Sequence, residues 1–295
     1  MPSLKEVRNR ITSVSSTQQI TSAMKMVSAA KLRRAQDAIL QLRPYAEKLQ
    51  EILANLSANS ESTEGGAFAA QREPKKVLIV VISSNRGLAG AFNTNVIKAS
   101  RELVNTRYAA QLDAGNVSWM SIGKKTTDYL NKNKANLISA HNDIYDSLTF
   151  ERVSAVAQRI MDGFLNKEFD RVELIYNRFK NAAVQILTTE QFLPVPPPAA
   201  DQTGKKSKSI DYIFEPDQQT IVLELIPKSL KTQLYKAVLD SFAAEHGARM
   251  TAMNKATDNA KELLKELKLT YNKARQATIT NEILEIVGGA EALNG

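Results

Sequence analysis

Helix-breaking residues are scarce over long stretches at both ends of this chain, and that constrains its fold more than any other feature. The first 57 residues hold no glycine and, after Pro2, one proline, Pro44. From Lys228 to Val287 there is no proline and a single glycine, Gly247. In the first stretch, alternate steps of three and four residues from Leu4 meet Val7, Ile11 and Val14, and later Leu32, Ala35, Ile39, Leu42, Ala46, Leu49, Leu53 and Leu56. That is the seam of a heptad helix. It is expected to fail between Gln18 and Ser28, where the stride lands on Gln18, Thr21, Lys25 and Ser28 while Ile20, Met24 and Val27 stand one position back. Pro44 deletes a backbone hydrogen bond and is expected to bend or break the helix nearby.

In the second stretch the same stride gives Met250, Met253, Thr257, Ala260, Leu264, Leu267, Tyr271, Ala274 and Thr278, and Leu230, Leu234, Val238 and Phe242 extend the apolar face upstream. Pro227 suits a first turn or a kink, and Gly288-Gly289 suits a stop. At about 1.5 Å per residue these rods would be roughly 80 and 90 Å long. Neither can bury its stripe alone, so they are expected to pack on each other, antiparallel if the middle of the chain returns to the same end.

The middle alternates. Val77–Ser83, Val117–Ile122, 135–140, Val172–Tyr176 and 183–189 read as strands, and Asn93–Thr106, Lys124–Lys132 and Thr149–Asn166 as helices, the last capped by Ser147 or Thr149. Strands interleaved with helices predict an α/β layer with a mainly parallel sheet, Rossmann-like in outline. The expected organisation is a helix over 1–57, an α/β domain over 74–193, a linker with a short extended segment over 194–216, and a second helix over 217–288. Polar joints lie at 57–73 and 194–209, the second carrying Pro196-Pro-Pro198 and Lys205-Lys-Ser-Lys208.

Composition removes many chemistries. There is no cysteine, which excludes disulfides, thiolate metal sites and thiol nucleophiles, and only His141 and His246 could serve a Ser–His pair. Neither histidine has carboxylates or hydroxyls at triad spacing, so both are expected at the surface or in an interface. Asn85-Arg-Gly-Leu-Ala-Gly90 sits between a strand and a helix, where phosphate loops sit, yet it matches neither G-x-G-x-x-G nor the P-loop pattern. Gly123-Lys-Lys-Thr126 has Ser118 where the first P-loop glycine should stand. Both are expected to be tight turns with a glycine packed close on the sheet. Catalytic residues, cofactor and metal are all expected to be absent. The longest apolar run, Val77–Ile82, is too short to span a bilayer, and no secretory or transit signal is apparent at Met1.

Charge is uneven. The net charge is +8, and residues 1–43 carry eight basic side chains (Lys5, Arg8, Arg10, Lys25, Lys31, Arg33, Arg34, Arg43) against Glu6 and Asp37, a local excess of +6. No aromatic residue is interleaved with these cations, so an acidic protein face is the expected partner rather than nucleic acid. The seam's small and polar residues, Thr21, Ser28, Thr257, Ala260 and Ala274 among them, would bring two backbones close and give a thin shaft.

Several stretches are familiar as well as readable. Ser16-Thr-Gln-Gln-Ile-Thr-Ser-Ala-Met24-Lys-Met-Val-Ser-Ala-Ala-Lys31-Leu-Arg-Arg-Ala-Gln36 closely resembles the gamma subunit of F-type ATP synthases. So do Gly247-Ala-Arg-Met-Thr-Ala-Met-Asn-Lys-Ala-Thr-Asp-Asn-Ala260 and the run from Leu269 to Ala290. Ser83–Asn93 and Asp211–Asp217 resemble it more loosely, with Asn85 where the family carries aspartate and Ala91 where it carries glycine. The resemblance implies an antiparallel two-helix coiled coil with a central Rossmann-like domain. The chain would be a non-catalytic central-stalk rotor, one copy per complex, carrying torque between a proton-driven c-ring and a hexamer of alpha and beta subunits, with the epsilon subunit and c-ring at its foot. It also implies beta-facing contacts at Met24, Lys25, Lys31, Arg33, Arg34, Arg249, Gln276, Thr280 and Glu282, and foot positions at Asn85, Arg86, Gly87, Asp211 and Tyr212. The expected location is peripheral, on the cytoplasmic face of a bacterial inner membrane, without bilayer insertion. A coiled-coil adaptor with a ligand-binding α/β domain is the alternative.

Overall fold

The apolar run Val77–Ile82 becomes the central strand of a five-stranded sheet, and every one of its side chains is buried. In the computed structural model, which describes residues 3–59, 68, 70–195 and 218–294, the elements follow in order. They are α1 (Leu4–Asn59), β1 (Val77–Ile82), α2 (Phe92–Arg107), the short α3 (Ala109–Asp113), β2 (Val117–Ile122), α4 (Lys124–Lys132), β3 (Leu137–Ala140), α5 (Phe150–Leu165), β4 (Arg171–Phe179), β5 (Gln185–Leu193) and α6 (Gln218–Asn294). A 3-10 turn at Asp143–Asp146 precedes α5. Contacts divide the chain into two units, Met1–Ala29 with Arg249–Gly295, and Ala30–Ala248.

In the larger unit the strand order is β3-β2-β1-β4-β5. β1 pairs in parallel with both β2 and β4, β2 with β3, and only the β4–β5 hairpin is antiparallel. The expected mainly parallel mixed sheet is therefore present. Because side chains alternate along a strand, Val77, Ile79 and Val81 turn to one face with Val96 and Val104 of α2 and Leu130 of α4. Leu78, Val80 and Ile82 turn to the other, with Val156, Ile160 and Phe164 of α5 and Leu230, Leu234 and Val238 of α6. Covered on both faces, β1 has to be apolar throughout. Thr149 caps α5 by accepting from the Arg152 backbone N–H, one of the two caps expected.

Gly247 lies within α6, and a Cβ there would stand 3.2 Å from the Ala182 Cα and carbonyl oxygen. The glycine admits the β4–β5 turn against the helix, a packing reason to accept its lower helix propensity.

Helix ends and interruptions differ from expectation. α1 passes through Pro44 without a break. The bond that Pro44 cannot make is to the carbonyl of Leu40, whose side chain is exposed, so water can satisfy that group. Pro227 lies inside α6 rather than in a first turn, since the helix is already formed at Gln218. The helix also runs through Gly288-Gly289 to Asn294. Neither glycine adopts the positive φ of a C-terminal stop, so the pair only lowers local propensity, by about 1 kcal/mol each.

The smaller unit contains the first part of α1 and the last part of α6. Arg8 Nη2 donates to Tyr271 Oη at 2.9 Å, and Lys25 Nζ donates to Asn254 Oδ1 at 2.5 Å. Between them the Thr257 hydroxyl donates to Thr21 Oγ1 at 2.8 Å. As one helix advances 17 residues from Arg8 to Lys25, the other retreats 17 from Tyr271 to Asn254, so the two segments pair antiparallel.

The seam does not fail at Gln18–Ser28. Thr21 and Ser28 are buried and Gln18 and Lys25 half-buried, while Ile20 and Val27 are 60% and 57% exposed. The constant stride of the helix, not the hydrophobicity of each residue, decides which positions face the partner helix. On α6 the seam holds from Met250 to Ala274, and then Ala277 rather than Thr278 turns inward.

Candidate functional site

A doubly wound sheet binds its ligand at the carboxyl ends of its strands, beside the strand where the order reverses. Here that place follows β1, and hydrogen bonds within the chain fill it. Ser83 Oγ donates to the Gly123 carbonyl at 3.3 Å and accepts from the Thr126 N–H at 3.1 Å. The Lys125 N–H donates to the Ser84 carbonyl at 3.1 Å. Asn85 Oδ1 accepts from the Lys124 N–H at 3.0 Å, while its Nδ2 donates to the Asn142 carbonyl at 2.7 Å. Asn93 binds the Ser84 backbone N–H and hydroxyl.

The first backbone donors of α4, the groups that would cradle a phosphate, are thus taken by residues 83–85. The expected tight turns are present, with the glycines in different roles. Gly123 is the one packed close on the sheet, since a Cβ there would stand 2.2 Å from the Ser83 carbonyl oxygen. Gly90 instead supplies a positive φ of 59° in open space. Asn85 uses both ends of its amide, and an aspartate could not donate to Asn142.

Among the described residues there is no cluster of His, Asp or Glu able to hold a metal ion, and no helix long and apolar enough to cross a membrane. His141 is half-buried beside the Ser139 hydroxyl, and desolvation lowers its pKa. His246 is 5% exposed and meets Phe242 edge-on, with ring centres 4.5 Å apart, so it is interior rather than superficial. It stands on the face of α6 turned into the larger unit.

The positions expected to meet other subunits are distributed as follows. Met24 is half-buried; Lys25 is turned to Asn254 across the helix pair and is not a free outward cation. Lys31, Arg33 and Arg34 are exposed in the larger unit. In the smaller unit Arg249 is buried, and Gln276, Thr280 and Glu282 are exposed, with the Thr280 hydroxyl donating to the Gln276 carbonyl at 2.9 Å. Arg86 is exposed and Gly87 half-buried on the loop after β1. Asp211 and Tyr212 lie outside the described residues, as does most of the 194–216 segment.

Sequence reasoning passed over Asp240, which sits in the apolar run Val238-Leu-Asp-Ser-Phe242 and is 6% exposed. Its carboxyl lines a cavity of about 480 Å³ whose walls come from α1, β4, the β4–β5 turn, β5 and α6. Burial raises its pKa from 3.8 to about 6, against the opposing pull of Lys236, Arg178 and Arg43. The folded chain therefore holds this proton more tightly than the unfolded chain does, and between about pH 4 and 6 stability falls as pH rises. Asp240→Asn is expected to stabilise the chain by about 2–3 kcal/mol at neutral pH, with the gain vanishing below about pH 4. Denaturant midpoints at pH 7.5 and 3.5 check both the size and the sign.

A family model described as ATP synthase matches residues 3–293. A curated ATP synthase gamma chain from Flavobacterium johnsoniae is 62% identical over 295 residues, covering all of both chains. Among solved structures, the central stalk and c-ring of Tetrahymena thermophila mitochondrial ATP synthase contains a chain with 25% identity and a TM-score of 0.60, covering 80% of this chain and 99% of that one. The rotor of Euglena gracilis mitochondrial ATP synthase gives 22% identity and a TM-score of 0.66, covering 94% and 98%.

Proposed function

The chain belongs to the ATP synthase gamma chain family, and from that premise we propose that it is the central rotor of an F-type ATP synthase, carrying torque between a proton-driven ring and the catalytic subunits. Its partners are the alpha and beta subunits, around one copy of this chain, with the epsilon subunit and the c-ring at the foot. The paired ends of α1 and α6 form an antiparallel coiled coil, and the sheet with its helices forms a Rossmann-like foot domain. ATP chemistry belongs to the beta subunits, and this chain contributes no catalytic group. The complex stands on the cytoplasmic face of a bacterial inner membrane, with this chain peripheral to the bilayer.

The observation that carries this reading is the antiparallel pairing through a polar seam. Thr21, Lys25, Thr257 and Asn254 meet across the pair by hydrogen bonds, so the helices hold register through polar contacts, with the two threonines the small pair among them. A thin pair with an uneven rim, where Ile20, Met26 and Val27 stand exposed, presents a different profile in each direction. Each orientation of such a shaft then stabilises one conformation of each surrounding catalytic subunit, which is a coupling free energy between rotation and nucleotide affinity. The exposed cations Lys31, Arg33 and Arg34 supply attraction to acidic loops. Exposed pairs are individually worth about 0–1 kcal/mol, so the shaft is guided without being held.

Co-expression with alpha and beta subunits, followed by purification and subunit stoichiometry, tests the reading. One copy of this chain per three alpha and three beta subunits is expected. A stable homodimer that ignores both would sink it and favour the adaptor. Within the assembled complex, Met24→Lys adds a cation beside Lys25 and is expected to loosen coupling, lowering protons pumped per ATP hydrolysed. Unchanged pumping per ATP in inverted vesicles would count against the contact assigned to Met24.

A further inference from the structure

The cavity lined by Asp240 is built unlike the rest of the larger unit. Its apolar wall is Ile39, Leu42 and Ala46 of α1, with Phe179 and Ile186 of the β4–β5 hairpin. Its cations converge from separate elements: Arg43 from α1, Arg178 from β4, Lys180 from the β4–β5 turn and Lys236 from α6. All four are exposed at the rim, Asp240 is buried, and none of the four closes an ion pair with Asp240 among the described residues. Four like charges gathered around one carboxylate repel one another and leave a positive field over the mouth. The volume of about 480 Å³ falls within the range of small-molecule sites.

We propose that this cavity binds an organic phosphate, with the phosphate held by Arg178, Lys180, Lys236 and Arg43, a hydroxyl of the ligand donating to Asp240, and the carbon skeleton against Leu42 and Phe179. Each part of that ligand answers a group in the cavity. Arginine forks and lysine ammoniums match phosphate oxygens. A buried carboxyl group keeps an oxygen that accepts from a hydroxyl whether it is ionised or neutral. A site that retains a carboxylate at a cost to stability is the pattern of a functional site. The chemistry is shared by a soluble phosphate ester and by a glycerophosphate lipid headgroup, and the experiment separates them.

Binding is also linked to protonation. Asp240 is faced by Arg43 from α1, Lys236 on its own helix, Arg178 from β4 and Glu190 from β5, and Lys180 of the β4–β5 turn lines the same cavity. With the carboxyl ionised, an incoming anion meets a buried like charge. With it neutral, the anion meets the cations alone. Affinity for a fixed-charge anion therefore rises as pH falls through the Asp240 titration, the sign that linkage requires.

Equilibrium dialysis of the full chain against radiolabelled glycerol phosphate tests the site, with Trp119 emission confirming that each variant is folded. One bound molecule per chain is expected, weakened about tenfold or more in Arg178→Gln and in Lys236→Gln, where each loss removes a charge-assisted contact. Sulfate competition, in which the anion's charge is constant, should strengthen from pH 7.5 to 5.5 in the native chain and stay flat in Asp240→Asn. Flotation with phosphatidylglycerol vesicles, compared with phosphatidylcholine, is the second arm. Capture that needs Arg178 without binding of soluble glycerol phosphate assigns the phosphate to a lipid. Equal binding by the native chain and both glutamine variants in both arms, or no binding in either, overturns the proposal, as does a sulfate pH profile unchanged in Asp240→Asn.

Discussion

Gly123→Ala is expected to destabilise the chain by about 3–5 kcal/mol, a cost assembled from backbone strain and overpacking. Gly123 has φ 108° and ψ 138°, a region that side chains with a Cβ rarely enter. An added Cβ would stand 2.2 Å from the Ser83 carbonyl oxygen and 2.7 Å from its carbon. Those are backbone atoms at the end of β1, held by the Ser83 N–H bond to the Ile122 carbonyl at 2.8 Å, so no flexible side chain can yield. Moving Ser83 also loosens its hydroxyl from Thr126 and Gly123 and withdraws the acceptors that satisfy the start of α4. Trp119, the single tryptophan, is buried on β2 and reports unfolding of the sheet directly. Gly90→Ala is the control. Its φ is 59° and no atom lies within 4 Å of the new Cβ, so only the left-handed backbone is penalised, by about 1–2 kcal/mol. Denaturant midpoints that rank Gly90→Ala at or above Gly123→Ala would refute the close-packing account.

Periodicity carried much of the fold into view. A six-residue apolar run bounded by polar residues suits a strand buried on both faces, and Val77–Ile82 is one. The stride of three and four marked most of the seam of both long helices, but the failure expected from Gln18 to Ser28 does not occur, because helical geometry is indifferent to the identity of one residue. Ends were less legible. Pro44, Pro227 and Gly288 lower helix propensity locally, by up to about 3 kcal/mol for proline, yet both helices run on through them.

Least visible were the polar contacts between residues far apart in sequence. Ser83 meets Gly123 and Thr126, and Asn85 meets Asn142, only because β1 and β2 lie side by side in parallel. No spacing rule marks such pairs. Asp240 and Glu173 were invisible for a related reason: a charged residue in an apolar run becomes informative only once the elements that cover it are known. The functional assignment was legible through whole stretches of familiar residues, whereas the side chains named for subunit contacts sit on surfaces whose complements are on other chains.

Glu173→Ala is expected to cost about 3–5 kcal/mol, the scale for stripping one member from a buried charged network. Glu173 is 1% exposed in β4, between β1 and β5. One carboxylate oxygen, Oε1, receives Tyr108 Oη at 2.6 Å, Arg171 Nε at 3.1 Å and Arg107 Nη1 at 3.3 Å. Burial and the carboxylate together hold the Tyr108 hydroxyl well above its ordinary pKa, so it remains a donor at any working pH. Truncation to alanine leaves that hydroxyl in the core without its acceptor and removes the counter-charge from two guanidiniums. The members should not weigh equally. The Arg107 side chain is 56% exposed and water can replace its contact, whereas that of Arg171 is 27% exposed, so Arg107→Gln is expected to cost no more than about 1 kcal/mol. Tyr108→Phe removes one donor while keeping the ring, and should cost about 1.5–3 kcal/mol, the value of a hydrogen bond to a charged group. A double-mutant cycle between Tyr108→Phe and Glu173→Gln isolates their coupling, and 0.5 kcal/mol or more is expected for residues in one network, to order of magnitude about that of other contacting pairs. If the two substitutions are additive, or if Arg107→Gln proves as damaging as Glu173→Ala, the carboxylate is not what ties the end of α2 to the sheet, and ordinary packing by the Tyr108 ring must hold that corner instead.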